Sequence, residues 1–233
     1  MKTTMNPRPN FVALLVLAAA LPAFAAHAAA GFVDLRQTTA IHGDAAAGEA
    51  KVAICSACHG AQGNAVVSQF PVLAGQRAEY IYQALRGFQR RADPASPMTP
   101  QVKDLSDTDL RNIAAYFSAA ARHPTVPATV DARLANDGER LFRDGDAARG
   151  IPPCQGCHGL RADGHALADR AAFYRLFPVL RGQHADYIAA RLASYRDDKI
   201  HDTSNARIMR GVAQNMDDAS AKAIAAWLAQ LSE

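Results

Sequence analysis

Apolar residues recur at helical spacing along most of the chain, and no run of alternating or β-branched residues reads as a strand. Asp44 stands as an N-cap before a predicted helix over 45–54. A second predicted helix carries Ile81, Leu85 and Phe88 on one face. Ser106 and Asp109 form a capping box ahead of a third, with Leu110, Ile113, Tyr116 and Phe117 along it. The same order then returns: a helix from about Asn136 to Arg143, one through Ile188, Leu192 and Tyr195, and a closing helix capped by Asp217 that carries Ile224, Trp227, Leu228 and Leu231. Between the two series, residues 121–130 contain Pro124 and Pro127 and little periodicity. The expected architecture is therefore all-α, with domains at 31–121 and 131–233 joined by a linker at 122–130.

The two halves are a repeat. Phe70-Pro71-Val72-Leu73-Ala74-Gly75-Gln76-Arg77-Ala78-Glu79-Tyr80-Ile81 is matched by Phe177-Pro178-Val179-Leu180-Arg181-Gly182-Gln183-His184-Ala185-Asp186-Tyr187-Ile188. Met98 stands seven residues before Leu105, and Met209 seven before Met216. The second copy is longer, with eight extra residues between His158 and Pro178 and four more before Met209.

Ahead of the first half, Lys2 and Arg8 precede an apolar stretch from Phe11 to Leu21, then Pro22 and Ala-rich sequence with small residues at A-x-A spacing. Residues 1–30 are expected to be a cleavable signal peptide, with cleavage after Ala25, Ala28 or Ala30; an uncleaved anchor is the alternative that Pro22 argues against. The protein is thus expected to be exported to the periplasm. Without the leader, 23 basic residues face 22 acidic ones, which excludes a polyanion binder. The halves 31–130 and 131–233 carry nine basic against eight acidic and fourteen against fourteen, so neither is a charged docking end. At 49% hydrophobic residues the 233-residue chain has enough apolar content for packed cores.

In an exported protein, four cysteines would ordinarily suggest disulfides. Their spacing points elsewhere: Cys55-Ser56-Ala57-Cys58-His59 and Cys154-Gln155-Gly156-Cys157-His158 are two C-x-x-C-H motifs that use every cysteine. This is the attachment signature of c-type haem. The two thiols form thioethers to the vinyl groups of one porphyrin, and the adjacent histidine is carried beneath the iron. A thioredoxin-like C-x-x-C would need a strand-to-helix context that is missing here, and a zinc site shared by the two pairs gives no reason for a histidine after each. Two haem c groups are expected, held by Cys55, Cys58, Cys154 and Cys157, with His59 and His158 as axial ligands.

The second axial position decides between a carrier and an enzyme. Three methionines remain after the leader, and two of them, Met98 and Met209, occupy matched places in the repeat. They are the expected sulfur ligands, although packing is the commoner role of methionine; Met216 aligns with Leu105 and reads as core. His59 to Met98 spans 39 residues and His158 to Met209 spans 51, so the insertions bring in His165 and His201 as competing ligands. Both are read as loop histidines, and His42, His123 and His184 as surface residues.

With these motifs in place, the sequence resembles the dihaem cytochrome c4 family, two class I cytochrome c domains in tandem, from about Asp44 to the C-terminus. The resemblance implies His/Met ligation of both irons and periplasmic electron transfer from a cytochrome bc complex toward a haem–copper terminal oxidase. It also implies that the carbonyls of Pro71 and Pro178 accept a hydrogen bond from the Nδ1–H of His59 and His158, and leaves peripheral association with the membrane open. The competing expectation is a subunit of a sulfur- or sulfide-oxidising enzyme, with a dihaem peroxidase as a weaker third.

Overall fold

The computed structural model describes Met1, residues 32–123 and residues 131–231. The expected leader and most of the expected linker (124–130) lie outside the described residues. Ten α-helices run through the described part, five in each half: α1 (Ala45–Glu49), α2 (Ala53–His59), α3 (Ala78–Arg91), α4 (Thr99–Val102) and α5 (Asp107–Ala119), then α6 (Ala132–Asp144), α7 (Gln155–His158), α8 (Ala185–Arg196), α9 (Ser204–Ala213) and α10 (Asp218–Gln230). Among the described residues, β-pairing is limited to two isolated bridges, Val33 with Thr203 and Asp146 with Ile151.

Local chemistry sets the helix ends. Asp44 accepts from the backbone of Ala46 and Ala47, Ser106 and Asp109 complete their capping box, and Asp217 accepts from Ser220 N–H. Two expected bounds change. The helix over 45–54 breaks after Glu49 and restarts at Ala53, because Val52 leaves the helix to bury its side chain in the first core. The helix expected from Asn136 starts at Ala132, capped by Asp131, whose carboxylate accepts from Arg133 and Leu134 N–H. The expected linker also starts tied down at its described end: Arg122 Nε donates to Ala74 O and its Nη1 to Arg181 O, and His123 N–H donates to Asn64 Oδ1.

In each half the first and last helices cross at close range. A Cβ on Gly48 would lie 2.2 Å from Asn112 O, and one on Gly138 would lie 1.9 Å from Ala223 O, so only glycine allows these crossings. Around them, Ile81, Leu85, Val102, Leu110, Ile113 and Phe117 form the first core. Leu141, Phe142, Ile188, Met216, Ile224, Trp227 and Leu228 form the second. Met216 is buried there, as its match with Leu105 implies.

The four extra residues before Met209 have a structural use. Asp202 is half-buried against the other half, its carboxylate paired with Arg90 (2.8 Å) and Arg91 (2.8 Å) at the end of α3. The segment after the leader lies along the same insertion: Val33 N–H donates to Asp202 O, Ser204 N–H to Val33 O, and Arg207 stacks over Phe32. Burial alone pushes the Asp202 carboxyl up, but Arg91 and Arg90 outweigh it and hold its pKa below the usual carboxylate range. A depressed folded-state pKa stabilises fully above the unfolded value and is lost as pH falls through the folded value. Asp202→Asn should therefore cost about 2 kcal/mol at neutral pH. The deficit should shrink below about pH 4, as followed by guanidinium unfolding of the haem-loaded protein.

Candidate haem sites

Each C-x-x-C-H motif lies on one helical turn, and residues three and four apart share a helix face, so both thiols and the histidine point the same way. Cys55 and Cys154 are half-buried against the two cores, while Cys58 and Cys157 are exposed. Burial pushes both inner thiols up, Cys154 to about 11.

His59 and His158 end their helices with 6% exposure each. His59 Nδ1 lies 3.0 Å from Pro71 O, and His158 Nδ1 lies 3.1 Å from Pro178 O. A carbonyl only accepts, so Nδ1 carries the proton and Nε2 is left with a free lone pair. Burial lowers both pKa values more than the carbonyl bonds raise them, keeping the rings neutral. Phe70 and Phe177 meet the two rings edge-on, at 6.1 and 6.4 Å between centroids. The result is two rigid neutral imidazoles, each with Nε2 available.

Met98 sits at the N-cap of α4, half-buried against the first core, whereas Met209 lies half-buried inside α9. Matching positions in the repeat thus fall in different local structure. Both methionine segments are nonetheless held to the middle helix by the equivalent residue. Gln89 Nε2 donates to Val102 O and Leu105 O, and Arg196 Nη1 donates to Met216 O.

Of the remaining histidines, His42, His123 and His201 are exposed. His165 and His184 depart from the sequence reading. His165 is half-buried, stacked on Tyr174 at 4.3 Å and packed on Phe177, and its Nδ1 accepts from Leu167 N–H. It thus belongs to an aromatic cluster behind His158, built by the eight inserted residues. His184 is half-buried, and its Nε2 bonds to Ala65 O of the other half at 2.9 Å. The signal for His184 was its alignment with Arg77, which makes the mirrored contact from Nη2 to Asp163 O.

Two further features suit a propionate-bearing macrocycle. Arg191, in α8, has its guanidinium over the Tyr195 ring at 5.3 Å and a buried Nε with no hydrogen-bond partner. Burial works against its charge, yet Tyr195, Tyr187 and Tyr80 around it keep the pKa raised. A half-buried cation among phenols fits an anionic carboxylate such as a haem propionate. Between the peptide leading into the second motif and α9 there is also a cavity of about 460 Å³, lined in part by Ile151, Pro152, Pro153, Ile208 and Val212. Among the described residues no three His, Cys, Asp or Glu side chains cluster as a metal site would require, so the two cysteine pairs do not converge on a shared zinc ion.

Comparison with known proteins agrees with this geometry. Residues 135–232 match the family model described as cytochrome c, and residues 43–117 match that of cytochrome c oxidase, cbb3-type, subunit III. Fold and paired motifs together define a dihaem c-type cytochrome, a carrier of electrons. The chain is 38% identical to cytochrome c4 of Stutzerimonas stutzeri over 195 residues, covering 80% of this chain and 88% of the relative. The crystal structure of reduced recombinant cytochrome c4 from Pseudomonas stutzeri superposes with a TM-score of 0.71 at 37% identity, covering 82% of this chain and all of that one. The protein belongs to the cytochrome c4 family and carries two covalently bound haem c groups. It is also 34% identical to the thiosulfate dehydrogenase electron acceptor of Thiomonas intermedia, over 79% of this chain and 81% of the relative. Intact-mass spectrometry of protein matured in a haem-attaching host should show two added haem groups. A Cys154→Ala/Cys157→Ala double variant should show one.

Proposed function

We propose that this protein relays single electrons in the periplasm, taking them from a cytochrome bc complex and passing them toward a terminal oxidase. His59 and Met98 hold one iron, and His158 and Met209 the other. Cys55, Cys58, Cys154 and Cys157 supply the thioethers. The single observation that carries the reading is the pair of buried C-x-x-C-H histidines, each held at Nδ1 by a proline carbonyl of its own half.

When bound, the haem irons supply reversible one-electron chemistry. The chain's part would be to hold His59 and Met98, and His158 and Met209, in place as ligands to the two irons, so that little rearrangement would accompany transfer. Ligation by a thioether sulfur favours the ferrous state and sets potentials above those of bis-histidine haems. Ile54, directly before Cys55, and Leu160, just after His158, are exposed apolar residues beside the two motifs. With near-neutral charge in both halves, docking through such local apolar patches suits weak, short-lived partner encounters better than long-range steering. Export through residues 1–30 rests on the leader pattern, and no helix among the described residues is long and apolar enough to cross a membrane. The thiosulfate dehydrogenase acceptor among the relatives supports a second reading, in which the electrons come from a sulfur-oxidising enzyme.

Met98→Ala and Met209→Ala should each lower the potential of the haem in the same half and open it to cyanide or azide, while the other haem keeps its spectrum. Unchanged potentials in both variants would refute the methionine assignment. Reduction of the ferric protein by a purified bc complex, compared with reduction by a sulfur-compound dehydrogenase, separates the two donor readings; the faster donor identifies the partner.

A further inference from the structure

The two histidine sites are linked across the domain boundary by one glutamine from each half. Gln183, 3% exposed, reaches into the first half, where its Oε1 accepts from Val72 N–H at 2.9 Å and its Nε2 donates to Val72 O at 3.0 Å. Gln76, 4% exposed, does the same to Val179, with both bonds at 2.9 Å. Each Oε1 also accepts the next backbone N–H of its own chain, from Arg77 and His184 respectively. A carboxamide has the same donor and acceptor as a peptide group, so each glutamine acts as a piece of backbone lent to the other half.

The residues so gripped follow the two prolines. The Pro71 carbonyl and the Val72 N–H belong to one planar peptide unit, as do the Pro178 carbonyl and the Val179 N–H. One end of that unit holds His59 Nδ1–H and the other end is held by Gln183. Hydrogen bonds in series through one peptide polarise each other: donation from Val72 N–H to Gln183 places more negative charge on Pro71 O, which then draws harder on the histidine proton. An imidazole pulled in this way is a more basic ligand at Nε2 and favours the ferric state.

We propose that Gln183 is a positioning residue for His59 and Gln76 one for His158, so that each domain sets the proximal ligand, and with it the potential, of the haem in the other domain. This rests on the reading of His59 and His158 as axial ligands.

The test is a redox titration of the haem-loaded full chain in which NMR resolves the two haems. Gln183→Met keeps bulk and removes both bonds to Val72. It should raise the potential of the haem on Cys55 and Cys58, seen as a several-fold increase in its ferrous-to-ferric ratio at fixed applied potential, and leave the haem on Cys154 and Cys157 unmoved. Gln76→Met should give the reverse pattern. In the unaltered protein, Val72 and Val179 amides should resist deuterium exchange although neither has a partner in its own half; rapid exchange of both would overturn the proposal without any variant. Ser68→Ala, which removes the interdomain bond to Asp186, is the control and should shift neither potential. Shifts in the same-half haem, equal shifts in both, no shift, or an equal effect of Ser68→Ala would each sink the proposal. Hyperfine-shifted ring nitrogens in histidine-¹⁵N spectra check ligation separately. If His59 and His158 lack them, the ligand reading fails; if they show them and no crossed shift follows, only the glutamine proposal fails.

Discussion

A buried imidazole can present one nitrogen as a lone-pair donor only if its other nitrogen keeps the proton and has somewhere to put it. Here that place is the carbonyl of the proline twelve or twenty residues downstream, and much of each half is arranged to hold it still. Proline has no N–H to compete for partners, and the backbone beyond it is anchored at every step. Leu73 and Ala74 donate to Gly63 O, Leu180 and Arg181 donate to Ala162 O, and Gly75 and Gly182 donate to the last helices of their halves. Val72 and Val179 find their partners outside their own half, in Gln183 and Gln76. The peptide beside each histidine's proline is therefore held by the other half.

The rest of the boundary obeys the same pseudo-twofold rule, with chemistry that has drifted between copies. Ser68 pairs with Asp186 and Arg175 with Glu79, equivalent positions exchanged across the axis. Arg77 and His184 make mirrored bonds to backbone carbonyls. A buried ion pair such as Arg175 with Glu79 adds little net stability but penalises any other docking of the halves, because a misplaced Glu79 would be left buried without its cation. Onto this symmetric frame the second half adds two asymmetric pieces. One is the aromatic cluster of His165, Tyr174 and Phe177 behind His158; the other is the Asp202 latch onto Arg90 and Arg91. The histidines of the two insertions are engaged locally: His165 accepts from Leu167 N–H at Nδ1 and stacks on Tyr174, and His201 is exposed with its Nδ1 against Asp198 O.

Most of what makes this chain a dihaem cytochrome is written in short range. The spacing within each C-x-x-C-H puts thiols and histidine on one face through helix geometry alone, the caps at Asp44, Ser106 and Asp217 are local hydrogen bonds, and the repeat reveals two copies without any knowledge of their contacts. Legibility fails where the deciding force acts between residues far apart in the chain. Val52 breaks the first helix because a core built from later helices takes its side chain, and His184 is half-buried because the other domain offers Ala65 O. Gln76 and Gln183 stand in the sequence as two matched polar residues, with nothing to say that each reaches more than a hundred positions along the chain to the peptide beside the other half's histidine. The sequence by itself determined the cofactor and the two-domain plan, since covalent attachment and helix periodicity depend on neighbours three or four residues away. Only the tertiary structure decided how the halves complete one another, because a buried amide must find its partner wherever folding happens to place one.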